Sequence, residues 1–272
     1  KVFFADQIEN WSNQLATVLI GKKYTASDIG YYSKATELQS PILNIAIGSI
    51  NSVMYPTFSK IQDNDVKLKE GYKWLLKLSA MIMFPLMFVG IVVSDEFIPI
   101  LLGNNWRESI PYFKLLCISS MIYPFTLFNL NIIKVKGKAN LYLNVNLITK
   151  GLILPAVIVG IQFHIIGLVI GLVIQRFISA IINSYFSGRV INYSIREQII
   201  DIYKVLLIAL ISFIFTFYIK KIHSFSNLEP LLVVIISLLV FTAFFIFLLI
   251  IFKDREYKQL YLIFLQTLHK KP

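Results

Sequence analysis

An all-α, polytopic bundle of about eight membrane-spanning helices is what this sequence predicts. Of its 272 residues 57% are hydrophobic and only 15% charged, where soluble domains carry about a quarter charged residues. Mean hydropathy is +0.70, and apolar runs of about 17–25 residues, each long enough to cross a bilayer core, recur along the whole chain. The same numbers exclude a water-soluble monomer and a disordered chain, and a single cysteine, Cys117, excludes a disulfide-stapled fold.

The first span, 3–21, is unusually polar. Asp6, Gln7, Glu9, Asn10, Asn13, Gln14 and Thr17 interrupt it, and positions 6, 10, 13 and 17 fall on one helical stripe. The second, 35–58, repeats the pattern through Glu37, Ser40, Asn44, Gly48, Asn51 and Tyr55. Polar groups facing hydrocarbon are costly, so two such faces predict a shared wet cavity; interhelical hydrogen bonds in a closed bundle are the alternative. The third and fourth spans, 74–93 and 110–133, contain Pro85 and Pro124, and Lys77 and Lys114 sit near their ends as interfacial anchors. The fifth, 141–161, contains Pro155 and Lys150. Each proline removes a backbone donor and predicts a bend.

In the sixth span, 165–186, a small and polar ridge of Gly167, Gly171, Gln175, Ser179 and Asn183 runs on to Ser187, with Arg176 beside it. At 1.5 Å per residue Arg176 lies roughly 16 Å into a core about 30 Å thick. A cation at that depth calls for a partner or an anionic ligand. Lys150 is either at similar depth or snorkelling to the interface, depending on where its helix enters the hydrocarbon. Spans 203–219 and 231–252 follow, and 254–268 has the spacing of an amphipathic helix lying on a membrane surface or packed against a loop.

Lys and Arg number 26 against 15 Asp and Glu, a net charge of +11. In a soluble protein that balance would point to nucleic acid; here it marks loops on one side of a membrane, and no nucleic-acid partner is expected. Lys60, Lys67, Lys69, Lys73, Lys134, Lys136 and Lys138 fall on the side of the N-terminus, as do the basic residues of the C-terminal tail. The opposite side holds fewer, which places both ends of the chain in the cytoplasm. The chain opens at Lys1 and reads as part of a longer protein.

No G-x-x-x-x-G-K-[ST] loop and no G-x-G-x-x-G turn occurs, so neither a nucleotide nor another cofactor is expected. His164, His223 and His269 are far apart, which leaves no recognisable metal motif. Asp63-Asn64-Asp65 spells an acidic pair, but among lysines it reads as a solvated helix linker. The loops are too short for a catalytic domain, so the protein is expected to be no enzyme and its work to lie inside the helical bundle.

Four blocks are familiar together: LIGKKYTASDIGYYSKATEL at 19–38, YPTFSKIQDND at 55–65, LLGNNWRESIPYFKLL at 101–116 and KVKGKANLYLNVNLITKG at 134–151. They resemble the polysaccharide, or O-antigen, flippases of the teichuronic-acid and colanic-acid type, within the multidrug, oligosaccharidyl-lipid and polysaccharide exporter superfamily. The resemblance implies two six-helix lobes around a cationic cavity, with this chain supplying the C-terminal lobe over 1–188, two accessory helices over 189–252 and a cytoplasmic tail over 253–272. Its missing partner is the N-terminal lobe of the same protein. The implied cargo is an oligosaccharide repeat unit joined through pyrophosphate to a polyprenyl lipid. It would be flipped by alternating access across a bacterial plasma membrane for polysaccharide or lipopolysaccharide biosynthesis, with membrane lipids and a polysaccharide polymerase as further partners.

The motif blocks carry no ligand residues across. The candidates rest on the depth and polarity arguments: Arg176 and Lys150 for the pyrophosphate, Asn10, Asn13, Asn44 and Asn51 for the sugars, and Gln175 as a further substrate-binding residue. Asp6, Glu9 and Glu37 are candidates for ion coupling, or simply partners for the buried cations. A peptidoglycan-precursor flippase and an ion-coupled drug exporter of the same superfamily are the alternatives. A membrane-embedded glycosyltransferase or polymerase would need a larger outer loop.

Overall fold

The computed structural model describes residues 21, 23–222 and 228–252, without the side chains at 46, 49, 51 and 53. The chain folds into helices α1 (Ala26–Ser59), α2 (Asp65–Leu102), α3 (Ile110–Val135), α4 (Ala139–Gly151), α5 (Ile153–Gly160), α6 (His164–Ile191), α7 (Ile195–Lys220) and α8 (Pro230–Ile251). Short 3-10 turns precede α3 and α6. Among the described residues no strand occurs. The first polar span, with Asp6, Glu9, Asn10 and Asn13, lies outside the described residues, as do the amphipathic tail and the side chain of Asn51.

Local chemistry sets the helix ends. Thr25 and Asp28 close a capping box at the start of α1, the Asp28 N–H donating to Thr25 Oγ1 at 3.2 Å. Ser194 and Glu197 do the same for α7. Each box satisfies two backbone donors that the first turn leaves without partners. Asn192, in the left-handed region at φ 51°, ends α6 and donates its N–H to Gly188 O.

Five helical runs are long and apolar enough to cross a membrane: Asp65–Leu102, Asn104–Val135, Ala139–Ile191, Ile195–Lys220 and Pro230–Ile251. The protein is a multi-pass membrane protein. The expectation of eight spans is therefore not reached by this measure, for two physical reasons among the described residues. The second expected span belongs to a longer helix, α1, which is too polar to join the five. The fifth and sixth expected spans form one run that doubles back on itself between Gly160 and His164.

Glycine makes that hairpin possible. A Cβ at Gly160 would stand 2.6 Å from the Cα of Leu168, one at Gly167 2.4 Å from the Cβ of Phe163, and one at Gly171 2.8 Å from the Ala156 carbonyl oxygen. Bare backbone lets α5 and α6 touch, the packing that small residues allow between membrane helices. The ridge read from the sequence thus divides its labour: Gly167 and Gly171 seat α5, Gln175 and Ser179 meet α4, and Ser187 donates to Asn129 Oδ1 of α3. Asn129 Nδ2 in turn donates to Ser184 Oγ at 2.9 Å.

Of the prolines, Pro85 and Pro124 lie within uninterrupted helices. Pro155 does accompany an interruption, at Leu152 between α4 and α5. Lys77 also departs from expectation. It is 7% exposed and lies 3.2 Å from Asp201 of α7, so it is an interior residue and not an interfacial anchor. Lys114 is held by Asp95 at 2.7 Å.

Helices α2 and α7 run parallel, since Lys69 meets Glu197 at one end (2.8 Å), Phe88 meets Phe213 midway (ring centroids 5.2 Å apart), and Glu96 meets Lys220 at the other (2.6 Å). Near the first end Tyr193 donates to Asp201 at 2.7 Å, and burial together with this carboxylate pushes its phenol up, so it stays a neutral donor.

His164 opens α6 at φ 60° and ψ 175°, a region tolerated essentially by glycine alone. His164→Gly should therefore stabilise the fold by about 1 kcal/mol, read as a higher melting temperature of the detergent-solubilised protein. An unchanged or lower melting point would show that the histidine is not strained.

Candidate functional site

Five helices, α1 and α3–α6, line a cavity of about 690 Å³, within the range of about 300–1,000 Å³ usual for ligand pockets. Helix α1 lines it with Ile29, Tyr32, Ser33, Thr36, Glu37 and Ser40, a recurrence every three or four residues that keeps one helical face toward the space. Helix α3 contributes Ser119, Tyr123 and Thr126 among apolar neighbours. The far wall is the α4–α6 hairpin, with Thr149, Lys150, Gln175, Arg176 and Ser179.

Sequence and fold explain why the two cations meet. Lys150 occupies the last turn of α4, just before the helix is interrupted at Leu152. Arg176 is twelve residues into α6, about 18 Å along its axis. The tight α5–α6 packing sets the hairpin register so that 149 and 150 stand opposite 175 and 176. Gln175 Nε2 donates to the Thr149 carbonyl at 2.8 Å and to Ser179 Oγ at 2.9 Å. Ser179 Oγ reaches the same carbonyl at 3.4 Å. Those bonds tie α6 to α4 beside the break. Gln175, expected as a substrate-binding residue, spends its amide nitrogen on this tie.

The charged lining residues are Lys150, Arg176 and Glu37. Glu37 sits 2.7 Å from Lys34 on its own helix, with a side chain 67% exposed. Lys150 and Arg176 are half-buried. Among the described residues no three His, Cys, Asp or Glu gather as metal ligands would, so the chemistry on offer is anion attraction on one wall and hydroxyl hydrogen bonding on the other.

Of the predicted site residues, the structure brings Arg176, Lys150, Gln175 and Glu37 to one cavity. Asn44 is exposed and lies beyond its lining, continuing the α1 face that Glu37 and Ser40 begin. The sequence reading missed Tyr32 and Ser33, because it began the second span at residue 35, and it passed over Thr36 within that span. The Thr25-x-x-Asp28 box was the overlooked signal that the helix starts earlier, at Ala26.

Residues 1–111 match the family model described as "Polysaccharide biosynthesis protein". The lipopolysaccharide biosynthesis protein WzxC of Escherichia coli K12 is 27% identical over 209 residues, 73% of this chain and 41% of that protein. The teichuronic acid biosynthesis protein TuaB of Bacillus subtilis 168 is 29% identical over 125 residues, 46% of this chain and 26% of that protein. The chain thus spans less than half the length of these relatives. Among solved structures, the lipid II flippase MurJ in an inward closed conformation superposes with a TM-score of 0.76 at 14% identity, covering 92% of this chain and 52% of that one. At that identity the likeness is one of fold.

Proposed function

We propose, for a chain that belongs to the polysaccharide flippases of the multidrug, oligosaccharidyl-lipid and polysaccharide exporter superfamily, that it carries a lipid-linked oligosaccharide from the cytoplasmic to the outer leaflet of a bacterial plasma membrane. The observation that carries this reading is the convergence of Lys150 and Arg176 on one cavity inside a membrane bundle. Two cations at one wall suit a polyprenyl pyrophosphate. The planar Arg176 guanidinium offers paired donors to two phosphate oxygens, and the Lys150 ammonium adds a compact charge.

The polyprenyl tail stays in the bilayer while the polar head crosses. Residues 1–188 act as one lobe, and the exposed face of α1 at Asn44 and Gly48 looks toward the other lobe, which the chain does not include. Rocking of the lobes moves the cavity from one side to the other. Residues 189–252 are the accessory pair, α7 and α8. Both chain ends are cytoplasmic, and a polysaccharide polymerase receives the product. The protein is a transporter without catalytic chemistry. No nucleotide motif is present, so an ion gradient or consumption of the product drives the cycle, with Glu37 the coupling candidate at the cavity and Asp6 and Glu9 the others.

The test uses full-length protein in vesicles loaded with fluorescent lipid-linked oligosaccharide. Accumulation of label in the opposite leaflet, above protein-free vesicles, is expected. Transport of a lipophilic cation in its place would overturn the reading in favour of a drug exporter. Faster movement of lipid II than of the oligosaccharide lipid would favour the peptidoglycan-precursor alternative, to which the MurJ-like fold gives weight.

A further inference from the structure

The cavity is chemically two-faced: the α4–α6 hairpin brings the cations, and α1 brings hydroxyls and a ring. On α1, Tyr32, Ser33 and Thr36 line the space within little more than one helical turn. The Tyr32 ring meets Tyr112 of α3 edge to face, at 6.4 Å between centroids and 86° between planes. That pairing, with the ring also packed against the apolar cluster of Ile153, Val157, Ile165, Leu168 and Val169, holds the ring in place at the cavity. Thr36 Oγ1 donates to the Tyr32 carbonyl at 3.0 Å, which leaves its oxygen lone pairs to accept. The Tyr32 and Ser33 hydroxyls have no hydrogen-bond partner among the described residues.

We infer that Tyr32, Ser33 and Thr36 form the wall that reads the sugar, and that the sugar it accepts is a neutral pyranose. The inference rests on the transport reading above and adds to it the class of glycan and the residues that contact it. A pyranose has an apolar C–H face flanked by equatorial hydroxyls. An anchored phenol ring covers that face, and hydroxyls one turn along the helix exchange hydrogen bonds with the sugar's own. All three wall residues are uncharged, and Glu37, on the same face, is engaged with Lys34. A uronic acid set against this wall would find no cation among the α1 lining residues, because Lys150 and Arg176 belong to the α4–α6 hairpin and Lys34, the nearest lysine of α1, is paired with Glu37. Its carboxylate would lose hydration without gaining a partner.

The test measures binding to full-length protein in nanodiscs with three probes: polyprenyl pyrophosphate alone, the same lipid bearing one N-acetylhexosamine, and the same lipid bearing one uronic acid. Wild-type protein is expected to prefer the N-acetylhexosamine lipid to the uronic acid lipid by roughly tenfold. Tyr32→Ala should weaken the N-acetylhexosamine lipid roughly tenfold and leave the sugar-free lipid unchanged. Tyr32→Phe and Thr36→Val, which keep the packing volume, should each weaken it by a smaller factor, roughly threefold.

If Tyr32→Ala weakens all three probes alike, or if the conservative pair changes nothing while Tyr32→Ala unfolds the protein, the sugar wall is refuted. Equal wild-type affinity for the two glycolipids refutes the neutral-sugar assignment. In each of these cases the transport reading survives. Failure of wild-type protein to retain any of the lipids would remove that reading, and this inference with it.

Discussion

Arg176→Ala is expected to slow translocation of a lipid-linked oligosaccharide about thirtyfold or more, because truncating one partner of a hydrogen-bonded, partly desolvated charge contact costs about 2–5 kcal/mol. Each 1.4 kcal/mol is worth a factor of about ten. Arg176→Lys should recover only part of the rate: it restores the charge but loses the fork that grips two phosphate oxygens at once. The measurement is the initial rate of leaflet exchange in vesicles, set beside the melting temperature of each variant, since Arg176 also has interactions within the protein. A phosphate-binding role predicts weaker binding of sugar-free polyprenyl pyrophosphate, and a purely structural role predicts a lower melting point with the lipid affinity intact. Should both variants translocate at the wild-type rate, Arg176 has no part in handling the cargo.

That Arg176 calls for a partner or an anionic ligand was legible from depth alone, because the energetic cost of a cation in hydrocarbon is independent of tertiary detail. The all-helical membrane architecture was legible for a similar reason: apolar run length answers directly to bilayer thickness. What the sequence concealed depended on register between distant elements. Gln175 and Asn44 looked alike as polar groups on apolar helices. Yet one is committed to the Thr149 carbonyl 26 positions away and the other lies outside the cavity lining. Lys77 read as an anchor because its partner, Asp201, is supplied by a helix more than a hundred residues later. Pro155 and Pro124 carried the same local signal, but only the first coincides with an interrupted helix, next to Gly151. Tyr32 and Ser33 were hidden by a boundary error: hydropathy begins a span where residues turn apolar, whereas the capping box begins α1 at Ala26.

Gly160→Val should be the most damaging single change to the fold. The first atom added, Cβ, would meet the Leu168 Cα at 2.6 Å, the Gly167 carbonyl oxygen at 2.9 Å and the Leu168 nitrogen at 3.1 Å. All three are backbone atoms, which cannot rotate aside as a side chain would, so α5 must move away from α6. Overpacking of this kind costs about 1–3 kcal/mol even where side chains can yield, and a loss of several degrees in melting temperature is expected. The damage should reach function as well. Separating α5 from α6 shifts Thr149 and Lys150 against Gln175 and Arg176, breaks the 2.8 Å bond from Gln175, and spreads the two cations that face the cavity. Gly151→Ala is the matched control: it lies in the same run, but a Cβ there meets nothing within 4 Å. That substitution should be neutral or gain about 0.5–1 kcal/mol from a less flexible unfolded chain. If Gly160→Val melts and transports as wild type does while Gly151→Ala is harmful, the hairpin does not set the geometry of the site. The reverse pattern would place the origin of the cationic wall in two bare stretches of backbone pressed together ten residues from the nearer charge.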